Sequence, residues 1–180
     1  MLQKTKYLTL SALCTALMVV GAYLRFPLPF LAVQFTTQVF FLLVTGLVLP
    51  PKYSAGALCA YVLLGLIGLP VFSQGSGLQT VLTYNFGYLL GFIFSAFITS
   101  VLRKRWKEKK WGYIVPALIG VLAVYAVALP YAALVSAIYM AKPIAFTALI
   151  NGFFLAFLPL DILKAAGAAL VASQLQRVLR

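Results

Sequence analysis

Asp161 and Lys164 are the two residues whose chemistry contrasts most with their surroundings. They lie three positions apart within an apolar segment, so on a helix they would share one face. Charged groups inside a membrane segment are costly, usually face the bundle interior and often mark a substrate path. The pair therefore predicts a ligand site, and an internal ion pair that caps and locks the helix is the compatible structural alternative.

A second polar group surrounds Gln34 and Gln38. The two glutamines are four positions apart, with Thr36 and Thr37 between them. On a helix that begins near Leu31 both glutamines would lie on one face and could hydrogen-bond a polar ligand. Hydrogen bonding between helices is the alternative, because it is common in membranes.

The segment from Gln74 to Tyr88 is a third polar region. Gly75 and Gly77 permit tight or left-handed backbone at its start. Its candidate ligand contacts are Gln79, Thr80, Thr83, Tyr84, Asn85 and Tyr88. We predict that this segment covers a pocket, and an ordinary connecting loop is the alternative.

The residue types in these groups limit the possible chemistry. Amides, aromatic rings, one carboxylate and one amine suit the binding of a small polar organic molecule. The sequence has no histidine, and Cys14 and Cys59 lie inside apolar runs. A metal site would need clustered His, Cys or carboxylates, and phosphoryl transfer usually needs several acidic metal ligands. We predict no metal site, no catalytic residue and no enzymatic activity.

The composition indicates an integral membrane protein. Hydrophobic residues make up 64% of the 180 residues and charged residues 9%, whereas soluble domains contain about half and about a quarter. A soluble fold of this size could not hide so much apolar surface. The net charge of +12 does not indicate nucleic-acid binding, because the basic residues lie between apolar runs and instead report membrane topology.

Prolines and polar segments divide the chain into six predicted transmembrane helices, which form one domain over residues 1–180. The predicted helices cover residues 7–24, 31–49, 54–69, 81–102, 113–139 and 159–176. The range 144–175 is too long for one span of about 20 residues. Because proline favours the first turn of a helix, we place a short helix or re-entrant piece over 144–156 and start the last helix at Pro159.

The charges orient this all-α bundle. With both termini inside, eleven Lys and Arg residues lie in inner segments, six of them in the basic loop 103–110, and two lie in outer segments. This strong positive-inside bias favours cytoplasmic N- and C-termini. The three polar groups then lie toward the outer face, which predicts a pocket that opens outside.

The first helix carries a different signal. Ala12 and Ala16 are four positions apart, with Ser11 and Thr15 beside them. Small residues at this spacing let helices approach closely, either a partner's helix or another helix of the same bundle. The sequence has no P-loop motif, so uphill transport would draw its energy from a partner or from an ion gradient.

Five short motifs are more specific in combination than any is alone. They are Pro27-x-Pro29 followed by Gln34-x-x-x-Gln38, Gly65-Leu-Ile-Gly-Leu-Pro-Val-Phe72, Gly75-Ser-Gly77, Phe86-Gly-Tyr-Leu-Leu-Gly-Phe92 and Leu158-Pro-Leu-Asp-Ile-Leu-Lys164. In order, and over nearly the whole chain, they resemble the BioY family. BioY proteins are the biotin-specific substrate-binding subunits, or S components, of energy-coupling factor (ECF) transporters.

The resemblance implies a six-helix S component in a bacterial cell membrane, with biotin as transported ligand and no further cofactor. Asp161 and Lys164 match the family's D-x-x-K motif near the vitamin. Ala12 and Ala16 match the motif that docks the transmembrane coupling subunit, and two ATP-binding-cassette ATPases complete such a complex.

Within this interpretation Lys164 is the cationic partner of the ligand or of Asp161. Asp161 either orients Lys164 or accepts from the ureido N–H groups of biotin. Gln34, Asn85 and Tyr88 are predicted to supply further contacts. Tyr84-Asn85 differs from the Pro-Thr that the family usually carries there, so an S component for another small acid such as lipoate is an alternative. A stand-alone secondary carrier or channel is another.

Overall fold

The computed structural model describes residues 2–26, 35–109, 111–139 and 144–178. Its helices are α1 (Leu2–Tyr23), α2 (Gln38–Val48), α3 (Pro51–Leu66), α4 (Asn85–Arg105), α5 (Ile114–Ile138), α6 (Phe146–Leu149) and α7 (Leu158–Val178). A 3₁₀ turn over Leu78–Leu82 precedes α4, and a π-helical segment over Ile150–Leu155 follows α6. The two-residue strands β1 (Arg25–Phe26) and β2 (Phe35–Thr36) pair antiparallel.

The bundle consists of α1 to α5 and α7, and it confirms the predicted six-helix membrane fold. Four helical segments of the described ranges are long and apolar enough to cross a bilayer: Leu2–Tyr23, Asn85–Arg105, Ile114–Ile138 and the continuous stretch Phe146–Val178. The helices α2 and α3, with 11 and 16 residues, are shorter.

The helix α2 lies at the centre of the bundle. It contacts α1, α3, α4, α5 and α7, and its Leu42 and Leu43 are completely buried. By contrast, α1 packs against α2 and α3 at one edge. One side of α1 therefore has no neighbour among the described residues.

The start of the second helix was predicted wrongly. The helix begins at Gln38 and not at Leu31, because the backbone of Phe35 and Thr36 pairs with β1. An apolar run with threonines is compatible with either a strand or a helix, so hydrophobicity alone did not locate this boundary. Because residues 35–37 are not helical, the predicted helical face that would carry both Gln34 and Gln38 is not formed. Gln34 itself lies outside the described residues.

The division of the last apolar stretch was predicted correctly. The chain turns at residues 156–157, and α7 begins at Leu158 with Pro159 in its first turn. Proline is tolerated there because the first N–H groups of a helix lack partners within the helix. The backbone hydrogen bonds between residues four positions apart start with the Asp161 amide, which donates to the Phe157 carbonyl at 3.0 Å.

Close packing of α4 against α5 depends on a glycine. A Cβ at Gly91 would lie 2.7 Å from the Val124 carbonyl oxygen, inside van der Waals contact. The Ser95 hydroxyl, one turn further along α4, donates to the Gly120 carbonyl at 2.7 Å. Small residues let helix backbones approach to this distance in membranes, and this packing sets the separation of the α4 and α5 side chains that face the site.

Candidate substrate-binding site

A cavity, here called the outer cavity, opens at the end of the bundle where α2, α4 and α7 begin. Its apolar lining comprises Val39, Phe72, Leu89, Phe92 and Phe157. Its polar and small lining residues are Thr36, Gln38, Ser73, Gln74, Gly75, Thr80, Thr83, Asn85, Tyr88, Tyr125, Asp161 and Lys164. The positive-inside bias assigns this end to the outside of the membrane.

The ion pair between Asp161 and Lys164 lies in the wall of this cavity. The Lys164 ammonium donates to Asp161 Oδ1 at 2.7 Å, and the Tyr125 hydroxyl donates to Oδ2 at 2.5 Å. Asp161 is 5% exposed. The Lys164 Nζ also lies 3.9 Å from the centre of the Phe35 ring, where a cation is attracted to the aromatic face. Asp161 and Lys164 therefore lie on one face of α7, as predicted.

Asn85 begins α4 and presents its amide to the cavity. Its Nδ2 donates to Gln74 Oε1. Its Oδ1 is buried and receives no hydrogen bond from the described part of the chain. Because an unpaired buried acceptor is costly, this oxygen suits a donor that arrives with a ligand.

Gln38 lines the cavity but already has protein partners. Its Nε2 donates to the Tyr61 hydroxyl at 2.7 Å, and its Oε1 accepts from Thr36 Oγ1 at 3.2 Å. The Tyr61 hydroxyl in turn donates to the Val71 carbonyl at 3.0 Å. Gln38 therefore ties the start of α2 to α3 and to the loop that follows α3, beside the cavity.

Tyr88 supplies a ring to the cavity and a hydroxyl to the bundle. The hydroxyl donates to the Phe153 carbonyl at 2.7 Å, which ties α4 to the π-helical segment. The ring lies edge-on to Tyr125, with 6.2 Å between the ring centres. This contact holds the two tyrosines side by side next to Asp161.

The segment from Gln74 to Tyr88 borders the outer cavity, but Gln79 does not line it. The Gln79 side chain is exposed and donates to the Ser76 carbonyl, whereas Thr80 and Thr83 line the cavity. Gly75, which also lines the cavity, has a φ of +95°. Only glycine adopts that conformation without strain, so the glycine shapes the loop beside the cavity.

Tyr125 is the main lining residue that the sequence analysis missed. It lies in the middle of α5, where an aromatic residue is not distinguishable from core packing. A signal was nevertheless present, because a tyrosine hydroxyl inside an apolar helix needs a polar partner. Asp161 is the one carboxylate outside the basic loop and was the obvious candidate. Phe72, which lines the cavity, and Phe35, whose ring contacts Lys164, gave no comparable signal.

The exposed side of α1 carries Ala12 and Ala16. Thr15, in contrast, is turned toward α3 and donates to the Ala57 carbonyl at 3.0 Å. Ser11 is 3.4 Å from the Tyr53 carbonyl on the same side. Packing within the bundle therefore does not account for the two alanines.

The side-chain groups in the outer cavity suit an organic ligand. Within the described residues, no three His, Cys, Asp or Glu side chains come together to hold a metal ion. The cavity offers a positive charge at Lys164, acceptors at Asp161 and Asn85, and several aromatic faces. It can therefore hold a molecule that combines polar edges, an apolar body and a negative charge.

Comparison with known proteins gives one consistent result. The model of the BioY family matches residues 1–180. A probable biotin transporter BioY of Lysinibacillus sphaericus is 34% identical over 179 residues, 99% of this chain and 90% of that protein. The biotin transporter BioY of Thermotoga maritima is 36% identical over 165 residues, with 91% and 92% covered.

A solved structure extends the likeness to the fold. The crystal structure of the S-component for biotin from an ECF-type ABC transporter superimposes with a TM-score of 0.82 at 30% identity. The match covers 97% of this chain and 93% of that one. The likeness thus extends over nearly the whole chain.

Proposed function

The chain belongs to the BioY family, and we propose that it is the substrate-capture subunit of an ECF-type vitamin importer that binds biotin from outside the cell. The observation that carries this proposal is the outer cavity with the Lys164–Asp161 ion pair in its wall. Biotin offers ureido N–H donors, an apolar bicyclic body and a carboxylate. The cavity supplies acceptors, aromatic faces and a cation in return.

Three side chains make the proposed polar contacts. Lys164 supplies the positive charge for the anionic vitamin. Its ammonium donates one hydrogen bond to Asp161 and retains further N–H donors for the ligand. Asp161 holds Lys164 in place and has lone pairs left for a ureido N–H. Asn85 Oδ1, which has no donor among the described residues, accepts from the ligand.

Gln38 and Tyr88 act on the shape of the cavity in this proposal. Both use their polar atoms on protein partners, Tyr61 and Phe153. Their remaining surfaces border the ligand space. They therefore contribute packing and position more than charge recognition.

We further propose that α1 docks the coupling subunit through Ala12 and Ala16. The exposed alanines leave room for a close helix–helix contact. Two ATP-binding-cassette ATPases then supply the energy, and the complex reorients the subunit to release biotin inside. In this proposal the whole chain, 1–180, is one transmembrane substrate-binding domain, with the basic loop 103–110 on the cytoplasmic side.

The alternatives are not favoured. The family and the relatives named above are transporters and not enzymes, and the relatives are biotin transporters. No observation on the cavity favours lipoate over biotin. A stand-alone carrier is a weaker explanation than a subunit, because the structural neighbour comes from an ECF-type ABC transporter.

Calorimetric titration of the purified protein in nanodiscs tests the ligand. Biotin is expected to bind at micromolar concentration or tighter, with lipoate as the matched control acid. Binding of lipoate in preference to biotin, or no binding of either, contradicts the substrate assignment. Uptake by vesicles that lack ATP and partner subunits contradicts the role as a subunit.

A further inference from the structure

A second cavity, here called the inner cavity, lies at the opposite end of the bundle. It is bordered by Tyr7 of α1, the end of α2, the start of α3 and the ends of α4 and α7. One wall is apolar and formed by residues 47–51. The other wall carries the cations Arg103, Lys104 and Lys107. The positive-inside bias assigns this end to the cytoplasmic face.

Arg103 is an unusual residue in this wall, because it is 5% exposed although it is charged. Its Nη2 donates to Gln176 Oε1 at 3.0 Å, and its guanidinium lies 3.8 Å from the centre of the Tyr113 ring. Its Nε and Nη1 are buried and have no hydrogen-bond partner in the described part of the chain. A buried charge with free donors is costly unless an anion completes it.

The described residues supply no such anion. The chain has two acidic residues. Asp161 is paired with Lys164 in the outer cavity. Glu108 is exposed and does not line the inner cavity. Among the described residues, therefore, no acidic side chain supplies a counter-charge for these three clustered cations.

We propose that the inner cavity binds the phosphate of an anionic phospholipid headgroup from the cytoplasmic leaflet. A guanidinium matches the geometry of phosphate, and the two lysines add charge beside it. The cavity opens at the helix ends, at the level of lipid headgroups, and its apolar wall accommodates the glycerol and the first acyl carbons. Basic pockets between helices on the cytoplasmic side recognise such headgroups.

Native mass spectrometry of protein released from nanodiscs of phosphatidylglycerol and phosphatidylcholine tests the proposal. The pair Lys104→Gln/Lys107→Gln removes two charges that line the cavity. The control pair Arg105→Gln/Lys109→Gln removes two exposed charges from the same segment that do not line it. We expect retained phosphatidylglycerol in the first pair to fall about thirtyfold, by the usual effect of two basic residues at an anionic surface. Equal retention by both pairs overturns the proposal.

A second arm separates lipid from free phosphate. In nanodiscs of phosphatidylcholine alone, inorganic phosphate is expected to leave the thermal unfolding midpoint of the protein unchanged. In nanodiscs that also contain phosphatidylglycerol, the midpoint is expected to be higher. An equal rise with inorganic phosphate overturns the lipid assignment. Biotin affinity is expected to be the same in both charge pairs, so the result does not depend on the outer cavity.

Discussion

The hydroxyl of Tyr125 donates a 2.5 Å hydrogen bond to the carboxylate of Asp161, 36 residues later in the chain. The Lys164 ammonium contacts the second carboxylate oxygen. A carboxylate that is 5% exposed is thereby held by groups from α5 and α7. The charged centre of the outer cavity is therefore built by two helices and not by the D-x-x-K segment alone.

Tyr125→Phe is expected to weaken biotin binding about tenfold or more. The change removes one hydrogen bond to a buried carboxylate, and hydrogen bonds to charged groups contribute about 1.5–3 kcal/mol. Titration calorimetry measures the effect. Tyr113→Phe is the matched control, because its hydroxyl donates to Gln176 near the inner cavity. Equal affinities in the two variants would rule out a role for Tyr125 at the site.

Lys164→Ala is expected to reduce biotin affinity at least tenfold. Because the change also leaves Asp161 buried without a cation, it destabilises the fold, typically by about 3–5 kcal/mol for a broken buried pair. The double variant Asp161→Asn/Lys164→Ala removes both charges and should recover the unfolding midpoint without recovering affinity.

Biotin carboxamide distinguishes the two roles of Lys164. If Lys164 pairs with the ligand carboxylate, biotin and its neutral carboxamide should bind Lys164→Ala with similar affinity, whereas the unchanged protein prefers biotin. An undiminished preference for biotin in the variant would show that another group recognises the carboxylate.

Asn85→Ala is expected to weaken biotin binding, whereas Gln79→Ala should not. The two amides are six positions apart, but Asn85 lines the cavity with an unpaired Oδ1, and Gln79 is exposed outside it. Loss of a neutral hydrogen bond is expected to cost about 1 kcal/mol, or about fivefold in affinity. A larger effect at Gln79 than at Asn85 would show that the loop closes differently around the ligand.

Ala12→Trp is expected to abolish co-purification with the coupling subunit and biotin uptake, while biotin still binds. The large side chain prevents the close helix contact that small residues permit. Ala126→Trp is the control, since Ala126 is also exposed but lies on α5, away from α1. Normal assembly of Ala12→Trp would refute the docking proposal.

Gly91→Ala is expected to lower the thermal unfolding midpoint in detergent. The new Cβ would lie 2.7 Å from the Val124 carbonyl and force α4 away from α5, and overpacking of this kind costs about 1–3 kcal/mol. Gly56→Ala is the control, because no atom lies within 4 Å of its added Cβ. There the midpoint should stay or rise, since alanine favours the helix.

Prediction from sequence worked well where a single segment held the information. Asp161 and Lys164 stand out because two charges in one apolar helix are rare, and their spacing alone makes them neighbours. The break before Pro159 follows from the length of a membrane span. The prediction of where α2 starts was wrong, because the pairing of β2 with β1, and not the local run of residues, decides where the helix begins.

The sequence by itself indicated that the protein lies in a membrane, that its termini face the cytoplasm and that it has six helices. Hydrophobicity and charge act on each segment separately, so these properties can be inferred one segment at a time. Only the tertiary structure decided which polar groups meet. It brings Asn85 and Gln38 to the cavity, leaves Gln79 outside it and faces Ala12 away from the bundle. The contact between Tyr125 and Asp161 depends on how α5 and α7 pack, and no spacing along the chain encodes it.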